Sequence, residues 1–80
     1  MARNFSKRIS VDGTMLLAVV VPEMHTDGMY YEVNVKGYPR FHMSWSQLGR
    51  YDLVPQEGLS LPYELVLAVS DLIEEVRRKK

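Results

Sequence analysis

The segment Pro22-Glu23-Met24-His25-Thr26-Asp27-Gly28 gathers the groups best suited to chemistry in this chain. Glu23, His25 and Asp27 stand at alternate positions, so an extended backbone would present all three on one side. Carboxylate, imidazole and carboxylate form an acceptable set of metal donors, and His42 could add a second nitrogen. Their spacing matches no established zinc pattern, and a turn between strands collects polar residues for its own reasons. The sequence therefore assigns no metal ligand and no cofactor.

Other chemistries lack their parts. There is no cysteine, which excludes a thiol nucleophile, a thiolate zinc site and any disulfide framework. The serines sit outside any G-x-S-x-G elbow, so the strained turn that exposes a nucleophile is missing. The five glycines stand singly, with neither a GxGxxG nor a Walker pattern to cradle phosphate. With two histidines and a body too small to enclose a pocket of its own, the expectation is that the protein is not an enzyme.

A different chemistry is suggested by Tyr30-Tyr31-Glu32-Val33-Asn34-Val35-Lys36-Gly37-Tyr38-Pro39-Arg40-Phe41-His42-Met43-Ser44-Trp45. Proteins that bind single-stranded nucleic acid stack bases on sheet aromatics and follow the phosphates with basic side chains. Tyr30, Lys36, Tyr38 and Arg40 are the candidates for that role. Charge weighs against it. Residues 1–8 carry three bases and residues 77–80 four, whereas the stretch between holds three bases and all ten acids, a net −7. Basic ends on an acidic body do not make the broad positive face that a duplex binder presents.

These side chains must be positioned by a very small scaffold. The chain has 80 residues, 46% hydrophobic and 25% charged, which describes one folded domain spanning 1–80 with basic ends expected to fray at 1–4 and 78–80. A chain of this size buries only about 60–65% of its unfolded surface, so association would be a natural supplement. The lack of cysteine favours a cytoplasmic setting, and no membrane partner is expected, since the longest apolar run, Met15–Val21, is far too short to span a bilayer.

Alternation predicts strands at Phe5–Val11, Thr14–Val21, Met29–Val35 and Arg40–Trp45, joined by the Asp12-Gly13 hairpin turn and short links. Pro22 is expected to end the second strand. Tyr51–Val54 is either a short fifth strand or a loop. If it is a strand, the helix could run back to bring the two basic ends together. From Leu61 to about Arg78, Leu65, Val66, Val69, Leu72, Ile73 and Val76 fall on one stripe of a helix, with Ser60 as the expected N-cap. The fold class that follows is α+β, an antiparallel β-meander of four or five strands with one C-terminal amphipathic helix packed on one face. The order of strand, acidic-Gly turn, Tyr-containing strand and later helix is similar to that of antitoxins of the HicB type. The Pro-Asp-Leu-Pro-Gly stretch expected after the second strand is absent, so no family is assigned and no residue carried over.

The run Met15–Val21 does not alternate, which implies cover on both faces of its strand. We read Met15, Leu17, Val19, Tyr31, Val33, Phe41, Met43 and Trp45 as facing the helix. Leu16, Ala18 and Val20 are then left on the helix-free face with Tyr30, Glu32, Arg40 and His42. An apolar centre with a polar rim marks an association surface. The function expected from sequence is a non-enzymatic protein-interaction module using that face, with itself (a homodimer) or with another protein. The alternative is a single-stranded nucleic-acid accessory protein.

Overall fold

A computed structural model describes residues 3–78, apart from the side chain of Arg78. The expected fraying of Met1, Ala2, Lys79 and Lys80 lies outside the described residues. The chain is α+β. Five strands, β1 (Phe5–Val11), β2 (Thr14–His25), β3 (Gly28–Val35), β4 (Phe41–Trp45) and β5 (Tyr51–Leu53), are followed by one helix, α1 (Tyr63–Arg78). The strands pair antiparallel in sequence order, β1-β2-β3-β4-β5, so every connection is a hairpin. The sheet curls into a half-barrel in which both β1 and β5, its two edges, touch α1. The helix stripe of Leu65, Val66, Val69, Leu72 and Ile73 fills the concave side. There it meets Val20, Val33, Phe41 and Met43, each with no exposed surface.

The register of β2 follows from its first turn. Asp12 and Gly13 have φ of 51° and 79°, the paired positive values of a type I′ turn, which Asp-Gly adopts at little cost. A two-residue turn here makes Val11 face Thr14, and thus Ile9 face Leu16, Lys7 face Ala18 and Phe5 face Val20. On the other side Ala18 faces Val35 and Val20 faces Val33. Directly opposed residues in an antiparallel pair share a face. Leu16, Ala18 and Val20 therefore lie on the helix side, with Ala18 and Val20 fully enclosed. This corrects the expected assignment of β2 by one residue. Met15 and Leu17, expected in the core, point outward and are 61% and 51% exposed. A shift of one residue moves every side chain of a strand to its other face.

Three further differences have local causes. The strand β2 runs through Pro22 to His25. Alternation from the Asp12-Gly13 turn directs the Pro22 nitrogen toward β1, and β1 begins at Phe5, whose partner is Val20, so no ladder bond is lost. The helix starts at Tyr63, and the Pro62 carbonyl accepts from the Leu65 and Val66 amides at 3.1 and 3.3 Å, so Pro62 and not Ser60 closes the first turn. A residue before proline is disfavoured in the helical region, which holds Leu61 out of the helix. Trp45, expected in the core, is 58% exposed at the end of β4, its ring set edge-on to Tyr51 at 5.0 Å.

The fifth strand forms, and the Val54 amide donates to the His42 carbonyl at 2.9 Å just beyond it. The helix returns across the sheet, and Lys7 Nζ of β1 donates to Glu75 Oε1 at 2.7 Å. Among the described residues no helix is long and apolar enough to cross a membrane.

Candidate functional site: the convex face of the sheet

The face away from α1 carries alternate residues of each strand, and the register fixes who neighbours whom. Across β1 and β2, Ser10 opposes Met15, Arg8 opposes Leu17 and Ser6 opposes Val19. Across β2 and β3, Val19 opposes Asn34, Val21 opposes Glu32 and Glu23 opposes Tyr30. Glu32 in turn opposes His42, and Tyr30 opposes Ser44. The convex face is thus divided along β2. Its hairpin end is apolar, with Met15, Leu17, Val19 and Val21. Its far end carries Glu23 and His25, with Tyr30, Glu32 and His42 on the adjoining strands.

At the apolar end an open depression of about 340 Å³ is lined by Leu17, Val19, Asn34, Val35, Lys36 and Tyr38. Arg8 and Lys36 border this zone with charged heads on long stems. Such stems shelter hydrocarbon only in part, which agrees with the half-exposed state of Leu17.

At the polar end Glu23, Tyr30, Glu32 and His42 are partly buried, with the exposed His25, Asp27, Asn34 and Arg40 close beside them. His25 Nε2 lies 3.2 Å from Glu23 Oε1, and His42 Nε2 lies 3.6 Å from the same oxygen. Arg40 Nη1 is 3.7 Å from Glu32 Oε1, and Asn34 Nδ2 donates to Glu32 Oε2 at 3.2 Å. Tyr30 Oη donates to Asp27 Oδ2 at 2.7 Å, and its ring tilts against that of His25 at 4.5 Å. That donated bond, followed by slight desolvation and the Asp27 charge, raises the Tyr30 phenol above its ordinary value. On the concave side, burial first and then the neighbouring Tyr51 raise the Tyr31 phenol.

Of the residues expected at an interface, Tyr30, Glu32, Arg40 and His42 do come together. Leu16, Ala18 and Val20 do not join them, because the register turns them into the core. The apolar residues at the surface are Met15, Leu17 and Val19, and the Asp12-Gly13 turn was the signal that could have found them. Of the residues considered for nucleic acid, Arg40 lies against Glu32, and Tyr30 is bonded to Asp27 with Glu23 opposite. Lys36 and Tyr38 sit at the other end of the face. Within the Glu23, His25 and Asp27 set, Asp27 is taken by Tyr30, and the partner that sequence spacing missed is Glu32 from the next strand. No protein-family model, curated protein or solved structure matches the chain.

Proposed function

We propose that this chain is a non-enzymatic interaction module that pairs with a second copy of itself through the apolar half of its convex face. The observation that supports this most directly is the adjacency of Met15 and Leu17, 61% and 51% exposed, on a sheet face that none of the described elements covers. Contiguous apolar surface with a charged rim is a feature of association sites. The depression beside Leu17 and Val19 gives that surface a socket, and the flexible thioether of Met15 is a knob of matching chemistry. Knob and socket on one patch suit a two-fold contact, in which each copy supplies both. A net charge of zero removes the long-range repulsion that would hold two copies apart.

Sedimentation velocity across a concentration series tests this. The unmutated chain should form a dimer by high micromolar concentration, whereas Leu17→Glu should remain a folded monomer. An unmutated chain that stays monomeric throughout would overturn the proposal.

A further inference from the structure

The polar half of the same face carries a second, independent feature. Glu23, Glu32 and His42, from three adjacent strands, bring one donor atom each within 4.8 Å of the other two. Two of the three are held in place by the ladder itself, since Glu32 and His42 are directly opposed on β3 and β4. Glu23 is the diagonal neighbour of Glu32, two residues beyond its partner Val21. All three side chains are 21–34% exposed, so they are partly withdrawn from water yet open to it on one side.

We infer that Glu23, Glu32 and His42 form a site for a divalent first-row transition ion of the zinc type. The donor set selects the ion. An imidazole nitrogen beside carboxylate oxygens suits Zn²⁺, whereas Mg²⁺ and Ca²⁺ take oxygen donors almost alone. Three protein donors with a solvent-facing fourth position is a familiar zinc arrangement. A tetrahedral shell with metal–ligand bonds of about 2.1 Å needs donors about 3.4 Å apart. The present spacing closes to that by small rotations of side chains that no core packing immobilises.

The cluster also places two carboxylates in one small patch of the face. Glu23 and Glu32 lie diagonally across neighbouring strands, with His25 and His42 at 3.2 and 3.6 Å from Glu23 and with Asn34 and Arg40 at 3.2 and 3.7 Å from Glu32. A bound dication would replace the repulsion between the carboxylates with direct coordination.

Titration calorimetry of the full chain with zinc chloride alone tests the site. One ion per chain should bind with a dissociation constant of about 10 µM or tighter. His42→Ala and Glu32→Gln should each weaken binding by about tenfold or more, since losing a ligand costs at least what losing its supporting partner does. Asp27→Asn, whose carboxylate is engaged by Tyr30, should leave the affinity unchanged. Co²⁺ should give the intense visible bands of a four-coordinate centre in the unmutated chain and lose them in His42→Ala. Far-ultraviolet circular dichroism checks that each variant is folded. The inference is overturned by the absence of saturable Zn²⁺ binding, by an affinity in both ligand variants equal to that of the unmutated chain, or by Ca²⁺ binding as tightly as Zn²⁺.

Discussion

Replacing Val20 with alanine, beside the same replacement at Val19, tests the register on which the site assignment rests. Val20 has no exposed surface and is clamped between Phe5 and Val33, whereas Val19 lies outward between Ser6 and Asn34 and is only half-buried. Removing two methyl groups from Val20 forfeits about 1.6 kcal/mol of transfer free energy, at about 0.8 kcal/mol each. The void left behind, about 50 Å³ if nothing relaxes, adds about 1.2 kcal/mol at about 24 cal/mol per Å³. Val20→Ala should therefore cost about 2–3 kcal/mol, a large share of the roughly 4–12 kcal/mol expected of a domain this small. Val19→Ala should cost about 1 kcal/mol, because its methyl groups are partly exposed and their loss leaves no enclosed void. The loss of strand propensity is common to both and cancels in the comparison. Urea unfolding at low micromolar concentration, where association does not contribute, measures the difference. Thermal midpoints should fall by roughly 10–20 °C for Val20→Ala and by less for Val19→Ala. Equal losses, or a larger loss at Val19, would mean that the strand presents its other face to the helix and that the convex face has been wrongly drawn.

Four other perturbations have definite outcomes. Gly13→Val places a β-branched side chain at φ 79°, so urea unfolding should show a loss of about 1–2 kcal/mol with the fold retained. Lys7→Met removes the exposed pair to Glu75 and should change the urea-derived stability by less than about 1 kcal/mol, the difference shrinking as salt is added. Tyr31 carries a folded-state phenol pKa raised above 10.0 by burial, so its contribution is complete below pH 10.0 and is lost as pH climbs through the folded value. Urea midpoints should therefore decline less steeply with alkalinity in Tyr31→Phe than in the unmutated chain. A labelled single-stranded oligonucleotide should show no binding by fluorescence anisotropy even at low salt, because the acidic groups around Tyr30 oppose a phosphate backbone.

Much of the fold could be read from the residues because local signals agreed with one another. Alternation in Phe5–Val11 and Met29–Val35, the Asp12-Gly13 pair and the three-and-four spacing from Leu65 to Ile73 each point to the element that forms. The face of β2 was harder, since an unbroken apolar run from Met15 to Val21 offers two parities with equal hydrophobic merit. The deciding constraint was geometric. A two-residue turn obliges Ile9 to oppose Leu16, and Ile9 was already on the apolar side of β1. Pro22 misled because its effect depends on which way its nitrogen points, which is settled only once the neighbouring strand is placed. The polar cluster was half legible. Glu23, His25 and His42 could be named as donors, but Glu32 joins them through pairing between strands, and spacing along the chain does not reveal that.

The helix follows all five strands in sequence yet touches both edges of their sheet, and its link from Lys7 to Glu75 spans 68 positions. One element is thus both stopper and latch. Should it lift away, the hydrocarbon bowl and two unguarded strand borders would be laid bare in a single event, each border a template for a stranger's backbone. Such an opening would leave nothing half-shielded, so the seating of this one helix guards the bowl and both borders together.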